Sequence, residues 1–407
     1  MLTAQTYRYQ TPIFDRVLIT EGIPFSIAEK VGTDDFTTLY LDFYEPAGDT
    51  AHLRPLVITV FGGAFVAGSR DFSDMEEYCK RLAKHGYVAA SIDYRLMSVF
   101  SVSATNIIRQ IFIAAQDVSS AIRYFKLYGE DYKIDTNNIF LLGNSAGTIA
   151  ILHEMFMEEQ ERPVETFSSP ALNSLHSSGC VEYRNKSTKI AGAVAQWGGV
   201  LGVDMIDSVE CVPLCFIHGT ADESVPYDSG YCYSSSFSFL MPYIYGSHSI
   251  SERLVEIGFH DYEIHSFQGE EHAFYLSSLY QLIDDKFDTC FNITKNFLLR
   301  HLDFPLSIDT SFMQSDTIGM QDQENATSAF VIFPNPTKGI INLKCNSLNY
   351  QSVSVRLFDM HGNLLESERM DETNVRLDLS EYKMGIYFLE IFEKGMKIAV
   401  YKLVKLD

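Results

Sequence analysis

Asn138-Ile139-Phe140-Leu141-Leu142-Gly143-Asn144-Ser145-Ala146-Gly147-Thr148-Ile149-Ala150-Ile151 changes character twice. Ile139 to Leu142 are apolar without a break, which reads as a short strand buried on both faces. Gly143 to Gly147 follow at once, and Thr148 to Leu152 favour a helix. The stretch therefore predicts strand, sharp turn and helix, with a serine at the tip of the turn. G-x-S-x-G in that context is the setting of an exposed nucleophile. A residue at such a tip takes a strained backbone, and side chains two positions away would strike the neighbouring strand and helix. The helix start beneath Ser145 also favours negative charge developing on a reacting oxygen. Ser145 is the candidate nucleophile.

The segments around it set the organisation. Phe36 to Tyr44 alternate with period two and read as a half-buried antiparallel strand closed by Pro46-Ala47-Gly48-Asp49. Leu56 to Phe61 form a buried strand, with Gly62-Gly63-Ala64-Phe65 directly after it. Asp74 to His85 carry Met75, Tyr78, Leu82 and Ala83 at helical spacing, and Gly86 stands just past the end. Tyr87 to Ile92 is the next strand, and a long helix is expected from about Asn106 to Tyr128. Ile190 to Gln196, Val212 to His218 and Tyr262 to Phe267 continue the alternation. Strands alternating with helices predict a doubly wound, mostly parallel α/β sheet covered on both faces. Ligands of such sheets sit at the carboxyl ends of the strands.

The chain has 407 residues, enough for a large core and an appendage, and 46% of them are hydrophobic, which excludes disorder throughout. A net charge of -22 argues against nucleic acid or anionic membranes as partners and fits a solvated, secreted or surface protein. No apolar run is long enough for a transmembrane helix. Cys79, Cys180, Cys211, Cys215, Cys232, Cys290 and Cys345 show no zinc-ligand spacing, so free core thiols are expected, with one or two disulfides if the protein is exported. No metal and no cofactor are implied.

The strand ends supply the partners of Ser145. In Phe216-Ile217-His218-Gly219-Thr220-Ala221-Asp222-Glu223 an acid follows a core strand. In Gln268-Gly269-Glu270-Glu271-His272-Ala273 a histidine follows the last strand. A serine hydroxyl needs a base to take its proton, and the base needs a carboxylate to hold its tautomer. The order Ser145, Asp222, His272 suits strand-end placement in an open α/β sheet. Glu223, Glu270 and Glu271 are the alternative acids.

Phe61-Gly62-Gly63-Ala64-Phe65, Gly143 to Gly147, His218-Gly219 with Asp222, and Glu271-His272 together resemble an α/β-hydrolase of the carboxylesterase and hormone-sensitive-lipase-like group. The resemblance covers about residues 6–304. It implies an oxyanion hole built from the N–H groups of Gly63, Ala64 and Ala146. The chain departs from the group's H-G-G-G segment at Phe61, which replaces the histidine, and at Ala64, which replaces the third glycine.

Phe65, Trp197 and Tyr227 follow strands or motif loops on the pocket side and are the candidate substrate contacts, with Trp197 foremost. Insertions at 162–189 and 228–250 are candidate lid or cap segments. Within this reading the substrate is a small-molecule or polymeric ester. The candidates are a short-chain carboxylesterase, a feruloyl or acetyl esterase acting on plant polysaccharides, and a hydrolase of aromatic polyesters. The rival readings are a non-enzymatic binding protein on the same fold and a peptidase of that fold; the latter is disfavoured because no propeller or large gating domain precedes the core.

Beyond Pro305 the composition turns polar, and residues 305–325 read as a linker. From Phe330 short strands recur with Gly and Asn turns, including one at His361-Gly362-Asn363, which predicts a small all-β sandwich over 326–407. Its Phe333-Pro334-Asn335-Pro336-Thr337 opening, the Arg356-Leu357-Phe358-Asp359 strand and Gly385-Ile386-Tyr387 are similar to the C-terminal sorting domain of the Bacteroidetes type IX secretion system. That resemblance implies type IX secretion machinery as a partner and a secreted or cell-surface location. Met1 to Gln5 would then be the stub of a removed signal peptide.

Overall fold

The computed structural model describes residues 8–33, 35–177, 179–207, 211–233, 238–277, 279, 281–302, 330–333, 337–345, 353–359, 364–370, 374–393 and 396–405. The expected signal-peptide stub, the linker at 305–325 and the turn at 361–363 lie outside them. The chain divides into two compact units, Met1–Asp309 and Thr310–Asp407.

The first unit begins with β1 (Val17–Glu29), β2 (Phe36–Pro46), β3 (Arg54–Val60), α1 (Ser73–Lys84) and β4 (Val88–Ile92). Helix α2 (Ala104–Tyr128) leads into β5 (Ile134–Asn144), α3 (Ala146–Phe156), β6 (Gly192–Gln196), β7 (Gly199–Val200) and β8 (Leu214–Gly219). The unit ends with β9 (Ser229–Tyr231), β10 (Tyr243–Gly246), α4 (Ser247–Glu256), β11 (Tyr262–Phe267) and α5 (Asp284–Arg300). One eight-stranded sheet runs β1-β2-β4-β3-β5-β6-β8-β11. Strand β2 is antiparallel to both its neighbours, and every pair from β4 to β11 is parallel.

Every residue of β3, β4, β6 and β8 is buried. Alternate side chains of a strand point to opposite faces, so both faces must be covered. A Cβ on Gly143 would meet Ile151 of α3, whereas one on Gly192, the register partner of Phe140, would meet Phe297 of α5. Phe140 and Gly143 are an odd number of residues apart, so α3 and α5 lie on opposite faces. Helix α1 joins α5 through Tyr78, whose ring packs on Phe287 and Phe291. Helix α1 forms because Met75, Tyr78, Cys79, Leu82 and Ala83 make one buried stripe, with Asp74 and Glu76 in the first turn and Arg81 and Lys84 in the last. Gly86, at φ 98°, ends it.

Strands β7, β10 and β9 form a separate three-stranded antiparallel sheet. It gives Ser229–Tyr231 and Tyr243–Gly246 of the 228–250 insertion a defined structure that the sequence did not signal. The 162–189 insertion is instead strapped to α2: Arg109 donates to the carbonyls of Glu165 and Ser168, Gln116 to those of Asn173 and Ser174, and Arg123 to those of His176 and Arg184. No described helix is long and apolar enough to cross a membrane. Among the described residues the thiols of Cys79, Cys180, Cys215, Cys232 and Cys290 are free.

The second unit packs two antiparallel sheets. One holds β12 (Phe330–Phe333), β13 (Ile340–Cys345) and β16 (Asn374–Asp378), in the order β12-β13-β16. The other holds β14 (Val353–Asp359), β15 (Leu364–Met370), β17 (Gly385–Glu393) and β18 (Met396–Lys405), in the order β15-β14-β17-β18. Ile341, Leu343 and Leu377 from the first meet Val355, Leu357, Leu389 and Ile391 from the second in a common core. Along β14 the buried residues Val353, Val355 and Leu357 alternate with less buried ones, as a sandwich requires. The predicted all-β C-terminal domain is borne out.

Candidate active site

Ser145 sits between the last residue of β5 and the first of α3, with φ 50° and ψ -122°. This backbone is costly for a residue with a Cβ, and its surroundings enforce it. The Ser145 N–H donates to the Gln196 carbonyl at 2.9 Å, tying the turn to β6. A Cβ on Gly147 would stand 2.1 Å from the Val60 carbonyl oxygen, and one on Gly143 would stand 2.8 Å from the backbone of Gly147 and Thr148. Both glycines are therefore required by close backbone approach.

A buried polar network that the sequence reading missed supports the turn from below. Asn144 Nδ2 donates to Asp74 Oδ2 at 2.5 Å, and the Tyr275 hydroxyl lies 3.1 Å from the same oxygen and 2.9 Å from Gln196 Oε1. Gln196 Nε2 in turn donates to the Tyr78 hydroxyl at 2.7 Å. Burial raises the Asp74 carboxyl above its usual range, against the hydrogen bonds it receives. The network joins α1, β5, β6 and the loop that carries His272. Its traces in the sequence are the polar residues Asn144 and Gln196, each ending a buried strand run.

The structure brings Ser145, His272 and Asp222 into one chain. The Ser145 hydroxyl meets His272 Nε2 at 2.9 Å, and His272 Nδ1 meets Asp222 Oδ2 at 2.6 Å. The two loops are sewn together: Thr220 N–H donates to the Phe267 carbonyl at 3.0 Å and Ala221 N–H to the Glu270 carbonyl at 2.9 Å. Asp222 Oδ1 accepts from the N–H groups of Ser224 at 2.8 Å and Val225 at 2.9 Å. Burial pushes this carboxyl up, but hydrogen bonds from His218 and His272 outweigh it and hold it at about 2. Of the alternative acids, Glu223 and Glu271 are exposed, and Glu270 is partly exposed and paired with Lys286.

The loop after β3 carries left-handed backbone at Gly63 (φ 131°), Ala64 (φ 53°) and Phe65 (φ 63°). The last two cost strain that a glycine would avoid. Among the described residues, none accepts a hydrogen bond from the N–H groups of Gly63, Ala64 or Ala146. Phe61, standing where a histidine was expected, stacks on Tyr94 with ring centroids 4.4 Å apart, and the Tyr94 hydroxyl donates to the Phe61 carbonyl at 3.1 Å. Aromatic packing thus anchors the loop where a polar side chain would otherwise do so.

Ser145, Ala64, Phe65 and Ala146 open onto a cavity of about 230 Å³. Its walls are almost wholly apolar: Ile107 and Ile111 of α2, Ile149 of α3, Val225, and Met241, Pro242 and Ile244 from the β9–β10 excursion. Cys232, Tyr233, Met241, Pro242 and Ile244 of the 228–250 insertion therefore wall the cavity, while no described residue of 162–189 lines it. Phe65 lines it as expected. The expectation for Trp197 needs correction. Trp197 is fully buried with φ 33°, and its ring packs behind His272 and against Phe274 and Tyr275 rather than into the cavity. Tyr227 is also turned away: it stacks on His248 and bonds Ser266 Oγ. A strand-end position indicates the face of the sheet but not the direction in which a side chain leaves the turn.

One further group of potential ligands exists among the described residues, at the opposite ends of β8 and β11: Cys215, Glu263 and His265, within 4.8 Å of one another. The Arg300 guanidinium already holds the Glu263 carboxylate there.

Residues 41–211 match the BD-FAE family, and residues 331–405 match the Secretion system C-terminal sorting domain. Over 227 residues the chain is 25% identical to the probable isoprenylcysteine alpha-carbonyl methylesterase of Arabidopsis thaliana, which covers 49% of this chain and 45% of that protein. The chain thus spans less than half the length of this curated relative. Among solved structures, Thermogutta terrifontis esterase 2 phosphorylated by paraoxon aligns with 20% identity and a TM-score of 0.48, covering 68% of this chain and 95% of that one. The propionate-bound form of the same esterase aligns with 21% identity and a TM-score of 0.47, covering 67% and 94%. The chain thus combines an α/β-hydrolase fold, matched to the BD-FAE family over residues 41–211, with a match to a secretion-system C-terminal sorting domain over residues 331–405.

Proposed function

We propose that residues 6–304 form a serine carboxylic-ester hydrolase acting through an acyl-enzyme. The observation that carries this reading is the unbroken hydrogen-bond chain from Asp222 through His272 to Ser145, ending at an apolar cavity beside free N–H groups. Ser145 Oγ attacks the ester carbonyl carbon while His272 Nε2 takes its proton. The carbonyl oxygen becomes an oxyanion, stabilised by the N–H groups of Gly63, Ala64 and Ala146. Collapse expels the alcohol, which receives the proton from His272. Water, activated by the same imidazole, then releases the acid. Asp222 holds His272 in the tautomer with Nδ1 protonated. The methylesterase name of the plant relative agrees with this class of reaction.

The cavity suggests the acyl half of the substrate. Its small, apolar volume suits a compact apolar acyl group, favouring short acyl chains, acetyl included, over a feruloyl group or an aromatic polyester. The test is hydrolysis of a chain-length series of p-nitrophenyl esters beside methyl ferulate and an aromatic polyester film. Turnover is expected to peak at short acyl chains and fall steeply by palmitate. Ile149→Ala, which enlarges the floor beside Ser145, is expected to shift the optimum to longer chains. A faster reaction on ferulate or film would overturn the acyl assignment, and no turnover of any ester would favour the binding-protein reading.

Residues 326–407 we assign to export through type IX secretion machinery, which gives a secreted or cell-surface enzyme. Each unit has its own core. Deleting 326–407 is expected to leave kcat/KM in solution within about twofold of the full chain while abolishing export. An inactive but folded truncation would make the second unit part of substrate binding.

A further inference from the structure

His218, the last histidine before the Asp222 loop, has no part in the reaction as written, yet it is fully buried beside the proposed acid. Its Nε2 lies 3.2 Å from Asp222 Oδ2 and 3.0 Å from the Val225 carbonyl oxygen. Both are acceptors, so Nε2 carries a proton aimed at the carboxylate. Its Nδ1 lies 2.8 Å from the hydroxyl of Ser247, the buried first residue of α4. The edge of the Tyr227 ring closes the side, 5.6 Å away.

The groups that face this imidazole are few. Asp222 and Tyr227 come from the loop after β8, and His272 from the loop after β11. Cys232, just past β9, has its thiol pushed up to about 12 by burial. From α4, His248 stacks on Tyr227 and pairs with Asp228. No lysine or arginine pairs with Asp222 among the described residues. Two imidazoles and two peptide N–H groups are what keep this carboxylate ionised inside the protein.

We propose that His218 is a positioning residue: a second imidazole donor on Oδ2 that keeps Asp222 ionised and directed at His272, with Ser247 fixing the ring. This rests on the esterase reading for its consequence in catalysis, but not for its effect on Asp222. A buried charge that loses one of its donors is costly, and the acidic partner of a triad must stay ionised to hold the imidazole.

The test labels aspartate carboxyl carbons for NMR and follows the Asp222 signal with pH in the full chain, alongside p-nitrophenyl butyrate kinetics. In His218→Phe, Asp222 is expected to titrate nearer the ordinary aspartate range, with kcat reduced about tenfold or more and KM little changed. His218→Gln, which returns an amide N–H near the position of Nε2, is expected to recover most of both. Ser247→Ala, the milder change, guards against a His218→Phe chain that does not fold and should move Asp222 in the same direction. An Asp222 titration unchanged in folded His218→Phe, or in Ser247→Ala should His218→Phe not fold, overturns the proposal. If Asp222 shifts as expected but the wild type hydrolyses no ester, the positioning role stands and the esterase reading falls.

Discussion

Ser145→Ala is expected to lower kcat by about a million-fold on the best p-nitrophenyl ester, leaving only the rate that binding and the oxyanion donors supply. The expectation follows from the chain of contacts at Oγ. The hydroxyl is the one atom of Ser145 that reaches His272, at 2.9 Å, and nothing else in the cavity wall carries a nucleophile except Cys232, Tyr233 and backbone groups. Burial holds the Cys232 thiol up at about 12, so it does not substitute as a thiolate at neutral pH. Stability should change little, within about 0.5 kcal/mol. Alanine meets the same backbone penalty at φ 50° as serine, and the N–H bond to Gln196 is kept. The measurement pairs steady-state kinetics with thermal melting and with labelling by a fluorophosphonate. The variant should melt like the wild type and take no label. A folded variant with activity within about tenfold of the wild type would remove Ser145 from the mechanism.

The same turn shows what a sequence can and cannot disclose. Four apolar residues followed by Gly-Asn-Ser-Ala-Gly identify a buried strand entering a crowded turn, because only glycine tolerates a carbonyl oxygen at the distances found beside Gly147. Chain order together with strand ends was enough to nominate Asp222 and His272, since a parallel sheet gathers the carboxyl ends of its strands on one side. What escaped notice depends on direction and depth. Trp197 follows β6, as a pocket residue would, but its left-handed backbone turns the ring beneath His272. The Asp74–Asn144–Tyr275–Gln196 network joins residues far apart in the chain, and no local pattern marks polar side chains that satisfy one another inside a core. The β7–β10–β9 sheet was illegible because its strands are two to four residues long, too short for periodicity to register. Yet that sheet supplies Ile244 to the cavity, so a part of the fold that walls the cavity was the part least visible beforehand.

Asp222→Asn is the second large effect, and its cause is a reversal of donors. Asparagine can keep its oxygen at the Oδ1 position, where the N–H groups of Ser224 and Val225 require an acceptor. Its amide nitrogen must then occupy the Oδ2 position, facing His272 Nδ1 and His218 Nε2. Two donors cannot share a hydrogen bond, so His272 must give up its Nδ1 proton and carry it on Nε2. That proton points at Ser145 Oγ, where a lone pair is needed. A loss of about 10⁴ in kcat is expected, with KM changed far less. The acid end of the stability profile should respond as well. The folded carboxyl is lowered from 3.8 to about 2, so its stabilisation is present above the unfolded value and is lost as pH falls toward 2. That linkage amounts to about 2 kcal/mol. Urea midpoints measured from neutral pH down to pH 2 should therefore show the wild type losing its advantage over Asp222→Asn between about pH 4 and pH 2. A gap that stayed constant through this window would mean that Asp222 is not held ionised by its neighbours. Full activity in a folded Asp222→Asn would return the acid's role to Glu270 or Glu271, and would require the His272 loop to move, because neither carboxylate bonds its ring in this arrangement.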